Sequence, residues 1–361
     1  MGRFMNSHTK MGWGFAIVFF CAPTLLVAQV ESKHFDEKQV LAERDAVLWR
    51  APTDITGRDL FYGQGGQEDA PTSKTFTYVK EDLKGTSPKF DVRDQEGVKW
   101  RVKLGEEARP ETVATRLLWA VGYFTNEDYF LPLIKVEGMQ PVSKKRRNRV
   151  KGLLDPDGTM YNARLKRYSK DEKKIGSWKW KRNPFTGTRE LNGLRVMMAV
   201  INNWDLKDEN NSVYFEKELN ADDKHSDKSG DTGVVYVVSD VGASFATSGR
   251  VRDRAAAKGN FESYRRSKFI CRTTVEFVDF CTPRRESLTL AVNPKEFIGR
   301  LRLRWIGRHI PRSDAKWMGQ LLAQLSQDQI LDAFRAAGYP PEQAEVFADV
   351  VGQRIAELED L

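Results

Sequence analysis

The chain has 361 residues, 40% of them hydrophobic and 30% charged, which describes an ordinary globular protein of one or two domains and excludes a disordered chain. Its formal charge of +8 is unevenly spread. Residues 141–191 hold sixteen Lys or Arg against five Asp or Glu, so the remainder is slightly acidic.

The first 30 residues differ from the rest. Arg3 and Lys10 precede an uncharged run from Met11 to Ala28, and Leu26-Val27-Ala28 offers a small residue for cleavage. Residues 1–28 therefore read as a signal peptide, and the protein as exported, periplasmic or extracellular. Uncleaved, the segment would be a membrane anchor, although Pro23 interrupts it and it is short for a span. Export would leave Cys271 and Cys281, which could pair or stay as buried thiols. The histidines, His8, His34, His225 and His309, are scattered and give no metal-ligand spacing.

Residues 31–50 read as a helix stopped by Ala51-Pro52, with Val40, Leu41, Val47 and Leu48 as its apolar positions. Residues 57–73, centred on Tyr62-Gly63-Gln64-Gly65-Gly66, read as a glycine-rich linker. Residues 29–74 thus form an N-terminal helix and linker. Strands are expected at 76–79, 90–93 and 99–104. Between the first two lies Lys84-Gly85-Thr86-Ser87-Pro88-Lys89, either a hairpin turn or a loop that offers backbone N–H groups to phosphate. Pro110 opens a helix over 111–121 with the stripe Val113, Leu117, Leu118 and Val121, closed by Gly122. Glu111 in its first turn favours the helix dipole and could pair with Lys103, with Glu106 and Glu107 as rivals. Residues 130–136 read as a further strand.

The basic stretch 141–191 is densest at Lys144-Lys145-Arg146-Arg147-Asn148-Arg149, with Tyr161, Tyr168, Trp178 and Trp180 interleaved. It reads as an insert outside the core, either simply solvated or presenting a positive face to an anionic surface. In an exported protein, anionic lipid, polymer or acidic protein suits it better than nucleic acid. A helix over 191–201 leads into Asn203-Trp204-Asp205-Leu206-Lys207-Asp208-Glu209-Asn210. Strands over 212–215 and 234–238 follow, the second ending in Ser239-Asp240-Val241-Gly242; the intervening 216–230 is a polar loop. The C-terminal part reads as helical. Ser313 and Ser326 are N-caps, Ser326 with Gln329 as a capping box, Gly338 is a stop, and Pro340-Pro341 starts a last helix whose face is Ala344, Phe347, Val350, Val351, Ile355 and Leu358.

A lysine in a strand, then Asp-x-x-x-x-Asn, then Asp-x-Gly is the order of parts in the protein-kinase fold. With Gly85-Thr86-Ser87-Pro88-Lys89-Phe90, Trp100-Arg101-Val102-Lys103, Asp205 to Asn210 and Ser239-Asp240-Val241-Gly242, residues 75–310 resemble the atypical kinases of the HipA and phosphatidylinositol-kinase-like group. The resemblance implies an α+β, two-lobed protein-kinase-like fold. Its small β-rich N-lobe would span 75–138 and its larger helical C-lobe 139–361, the basic insert included. It implies ATP and Mg²⁺ as cofactors. Lys103, partnered by Glu111, would hold phosphates with Gly85, Thr86 and Ser87. Asp205 would orient or deprotonate an acceptor hydroxyl, and Asn210 and Asp240 would hold the metal. The acceptor would be a protein, lipid or sugar. The chain departs from the group in having Asn203 and Trp204 before Asp205 and a single glycine in the nucleotide loop. The alternatives are a kinase-fold protein without catalysis that engages an anionic partner through its basic stretch, and an extracytoplasmic binding protein of another fold.

Overall fold

The computed structural model describes residues 46–168, 172–216, 233–247, 258–281 and 293–361. The expected signal-peptide segment, most of the expected helix at 31–50, and nearly all of the polar loop with His225 lie outside them. No helix among the described residues is long and apolar enough to cross a membrane.

The chain is α+β and has two hydrophobic cores. The smaller core fills a closed barrel in the order β2-β3-β4-β6-β5, formed by β2 (Thr75–Glu81), β3 (Lys89–Arg93), β4 (Lys99–Leu104), β5 (Asp128–Glu137) and β6 (Thr159–Arg167). Strand side chains alternate between faces. Trp100, Val102 and Leu104 of β4 therefore join Phe76, Phe90, Val92, Met160 and Leu165 inside the barrel. Lys103 falls on the opposite face, level with Arg164 of β6, its cross-strand partner.

The larger core gathers around the helices. These are α1 (Ala108–Ala120), α2 (Arg189–Val200), the short α3 (Phe261–Arg265), α4 (Pro294–Leu303), α5 (Arg312–Leu322), α6 (Gln327–Ala336) and α7 (Pro341–Glu359). A four-stranded sheet accompanies them, ordered β1-β9-β8-β7, from β1 (Ala46–Val47), β7 (Glu172–Gly176), β8 (Asn211–Glu216) and β9 (Gly233–Val238). A hairpin of β10 (Ile270–Thr273) and β11 (Phe277–Phe280), joined by β12 (Ile310–Pro311), completes the chain. Cys271 and Cys281 form a disulfide across that hairpin. Helix α1 touches β5 and β6 on one side and α6 on the other, so it links the barrel to the helical core.

Several expectations need correction. Ala46–Val47 is not helical: it pairs in parallel with Val234 and Val235 of β9. Residues 57–73 are not a free linker. The buried Arg116 guanidinium of α1 donates to the carbonyls of Phe61 and Tyr62 at 3.1 and 3.4 Å and to that of Asp128 at 2.8 Å. Tyr129 Oη donates to the Gly66 carbonyl at 3.0 Å. Nor is the basic stretch an insert outside the core, because β6 lies within it and pairs with both β4 and β5. A boundary at residue 138 would cut the barrel. The charges of β6 blur a strand pattern whose inward positions, Met160, Ala163 and Leu165, are fully buried. Trp178 and Trp180 belong to the larger core. Lys144, Lys145, Arg147 and Arg149 are exposed, as a solvated face requires, whereas Arg146 is buried.

Helix α1 starts at Ala108, with Pro110 in its first turn, where a missing N–H leaves no bond broken. Ser326 and Gln329 form the capping box, but the residue that caps α5 is Pro311, not Ser313. The expected face of α7 is buried throughout. Phe347 stacks on Phe334 with ring centroids 4.9 Å apart. Phe347→Ala should lower unfolding free energy by about 3–5 kcal/mol, the cost of emptying a large buried aromatic site. Denaturant titration of the variant and the wild type measures it.

Candidate functional site

Lys103 leaves the barrel face and ends among carboxylates. Its Nζ lies 2.8 Å from Glu111 Oε2, 2.6 Å from Glu107 Oε2 and 2.5 Å from Asp240 Oδ1. The lysine side chain is 3% exposed and that of Glu111 1%, while Asp240 is 49% exposed. Glu111 also accepts from Arg164 Nη2 at 2.7 Å, and Arg164 Nη1 reaches Asp128 at 3.1 Å. Glu107 accepts in addition from Lys258 and from Ser87 Oγ, the latter at 3.0 Å. The contact between Lys103 and Asp240 joins positions 137 residues apart.

These contacts set the protonation states. Burial alone would push the Lys103 ammonium down, but Glu107, Glu111 and Asp240 together raise it well above the ordinary lysine value. Burial likewise works to raise Glu107, and Lys103 and Lys258 outweigh it and hold that carboxyl low. Lys103 lowers Asp240 in the same way. Asp128 behaves oppositely: burial pushes it up to about 6 against the pull of Arg164.

Asp240 reaches Lys103 because the turn after β9 is unusual. Asp240 itself holds a positive φ of 55°, a left-handed conformation that costs energy in a residue other than glycine. Gly242, two residues on, makes room rather than an unusual backbone angle. A Cβ at Gly242 would lie 2.6 Å from Glu107 Cβ and 2.9 Å from the Glu107 carbonyl oxygen. The glycine is needed for close approach of this turn to the start of α1.

The Asp205–Asn210 loop is fastened to the same turn through its backbone. Ser239 N–H donates to the Asn210 carbonyl at 3.1 Å, and Trp204 N–H to the Ala243 carbonyl at 3.2 Å. Asn210 Nδ2 donates to the Asp205 carbonyl at 2.6 Å, and Asp205 N–H donates to Asn203 Oδ1 at 2.9 Å. The Asp205 carboxylate lies 3.3 Å from Lys207 Nζ and 3.5 Å from Arg300 Nη1. Its buried Oδ1 accepts no well-aligned hydrogen bond. The Arg300 guanidinium lies over the Trp204 ring, 4.3 Å from its centre. Asp208 is occupied elsewhere, since it accepts from Trp180 N–H at 3.0 Å.

Of the residues singled out in the sequence, Lys103, Glu111, Asp240 and, through Glu107, Ser87 form one bonded network. Asn210 and Asp205 join it through the backbone. Gly85 and Thr86 lie in the exposed β2–β3 turn. Glu107 is a full partner of Lys103 rather than a rival to Glu111, and its spacing of four residues was visible in the sequence. Arg164, Asp128, Lys258 and Arg300 carried no signal there, because only strand register and long-range packing bring them in. A cavity of about 480 Å³ beside the β10–β11 hairpin is lined by none of these residues.

Among the described residues no three His, Cys, Asp or Glu side chains converge as a metal cage. Mg²⁺ asks less: one or two protein oxygens suffice when phosphate and water complete its shell. Asn210 commits its Nδ2 to Asp205 and keeps its amide oxygen, and Asp240 commits only Oδ1. Free oxygens of this kind suit Mg²⁺ that a phosphate carries and are too few to hold a metal by protein alone. Comparison with family models, with curated proteins and with solved structures finds no match to this chain.

Two outcomes follow from this geometry. Gly242→Ala should drive the turn off Glu107 and cost about 1–3 kcal/mol of stability, as overpacking of a tight contact does; thermal and denaturant unfolding read it. The depressed carboxyls of Glu107 and Asp240 contribute stability that is present above the unfolded carboxylate range of about 4 and lost as pH falls below it. Asp128, raised to about 6, acts in the other direction, gaining stability as pH falls through that value. Denaturant unfolding at a series of pH values should therefore show stability held or rising from pH 7 to about 4, then falling. Glu107→Gln should flatten the fall.

Proposed function

We propose that this protein is an exported ATP- and Mg²⁺-dependent phosphotransferase of atypical kinase type. The barrel with α1 would form the small lobe and the helical core the larger one. The observation that carries this reading is the meeting of Lys103 with Glu111 and Asp240. A strand lysine paired to a helix carboxylate, and touching the Asp of an Asp-x-Gly turn, is the constellation that phosphoryl transfer uses to order triphosphate and metal.

In this reading the chain's own residues position and neutralise. Glu111 and Glu107 hold the Lys103 ammonium charged and aimed at the space beside Asp240. Arg164 and Asp128 fix Glu111 from behind, so the lysine's direction is set by two layers of buried charge. Asn210 and Asp240 would hold Mg²⁺, which supplies charge neutralisation for the transferred phosphoryl group. Asp205 would orient the acceptor hydroxyl and take its proton. Lys207 Nζ and Arg300 Nη1 lie beside its carboxylate and fix its place. The acceptor is a protein, lipid or sugar hydroxyl.

The same contacts favour a second reading. With its carboxylate beside two cations, and with Trp204 covered by Arg300, Asp205 is partly engaged within the protein. A kinase-fold protein that binds nucleotide without transfer, and engages an anionic partner through Lys144, Lys145, Arg147 and Arg149, would look the same at this site.

Calorimetry with Mg²⁺–ATP and a phosphoryl-transfer assay with radiolabelled ATP separate the readings. The phosphotransferase reading expects wild-type binding and turnover. Lys103→Met should lose nucleotide binding at least tenfold, and Asp205→Asn should keep binding but lose turnover by at least a hundredfold, the scale of a positioned base. Binding without turnover in the wild type favours the second reading. Absence of Mg²⁺–ATP binding overturns both.

A further inference from the structure

The β2–β3 turn is held by two arginines of the basic stretch. Ser143 docks on the end of β2, its N–H and Oγ each 2.9 Å from the Glu81 carboxylate. The turn that follows carries Arg146 under the β2–β3 loop, where it is fully buried. Its Nη2 donates to the carbonyls of Asp82, Lys84 and Gly85 at 3.3, 3.2 and 3.2 Å, and its Nη1 donates to the carbonyl of Ser87. Arg149 Nη1 takes the Thr86 carbonyl at 2.8 Å.

Peptide planarity turns this capture into a direction. In a trans peptide the C=O of one residue and the N–H of the next point opposite ways. With the carbonyls of Lys84, Gly85 and Thr86 drawn to arginine, the N–H groups of Gly85, Thr86 and Ser87 point away from it. Among the described residues none accepts a hydrogen bond from these three amides. A row of amides facing one way is an anion-binding concavity. Lys89 stands at the same place. A Cβ on Gly85 would lie 3.5 Å from Lys89 Nζ. Lys89 is the cross-strand partner of Lys103. Lys103 is neutralised by three carboxylates, whereas the Lys89 ammonium has no hydrogen bond or ion pair among the described residues. Burial and the neighbouring Lys103 both press its ammonium toward the neutral form, against Asp240, so an incoming anion would relieve it.

We propose that Lys89 is a phosphate-contacting residue and that Arg146 is the positioning residue that turns the Gly85–Ser87 amides toward the same phosphate. The inference rests on the nucleotide reading above for the identity of the anion, which is a phosphate chain. That chain could belong to a nucleotide or to free polyphosphate.

Pyrophosphate, which lacks base and sugar, tests the site apart from the reading. Calorimetry on the full-length protein should show pyrophosphate binding. Lys89→Met should weaken it at least tenfold and reduce its salt dependence, while Lys89→Arg should largely keep it. Arg146→Lys keeps the charge but loses the planar fork, and should weaken pyrophosphate about fivefold or more. Thermal unfolding checks that each variant is folded, and Lys89→Gln serves if Lys89→Met is not. Unchanged affinity in the folded Lys89 variants, or no pyrophosphate binding by the wild type, overturns the role of Lys89. Unchanged affinity in Arg146→Lys overturns the role of Arg146. Mg²⁺–ATP bound more tightly than pyrophosphate assigns the chain to a nucleotide. Lys89-dependent pyrophosphate binding with no Mg²⁺–ATP binding upholds the anion site and overturns the nucleotide reading.

Discussion

Lys103 carries a positive charge into a place that water barely reaches, and three carboxylates meet it there. Burying such a charge without partners would cost several kcal/mol, so lysine and carboxylates must be brought together for the fold to close. The carboxylates come from two distant parts of the chain. Glu107 and Glu111 lie at the start of α1, and Asp240 follows β9 in the larger sheet. One ammonium therefore fixes the barrel, the linking helix and the sheet at a single point. Arg164 and Asp128 extend the alternation of charge on the barrel's outer face, so that no member of the buried network lacks an opposite partner.

The close approach of the Asp240 turn depends on two costs accepted in the backbone. Asp240 adopts a left-handed conformation, and Gly242 gives up its side chain so that the turn can lie on Glu107. Strain at a residue that also contacts the central lysine is the kind of feature that clusters at functional sites. The loop from Asp205 to Asn210 is tied to the same turn by main-chain hydrogen bonds. A shift of the turn would thus move the proposed acceptor-orienting residue, the proposed metal ligands and the lysine together.

Much of this was legible in the sequence because it is local. Strand β4 and its lysine, the helix after Pro110, the capping box at Ser326 and the apolar face of α7 are written in short-range periodicity and capping chemistry. The α+β class, which the resemblance implied, agrees with the observed strands and helices. What failed to show was non-local. Strand β6 was hidden among the basic residues because its partners, β4 and β5, both lie well upstream, and its charged positions obscure the inward Met160, Ala163 and Leu165. Arg146 looked like one more solvated charge in a run of them, yet it is the buried clamp of the β2–β3 turn. Residues 57–73 looked like a linker because Arg116 grips them by their own backbone carbonyls, which leave no mark in composition. The pairing of Glu107 with Lys103 is short in sequence and joins the end of β4 to the start of α1, whereas Arg164 required the strand register.

The most direct measurement is a crystal structure of the protein with Mg²⁺ and a non-hydrolysable ATP analogue. The proposed function predicts phosphate density between the Gly85–Ser87 turn and Lys103, with the metal on Asp240 and Asn210. Nucleotide bound at another place, or Lys103 and Asp240 lying apart in two independent regions, would contradict it.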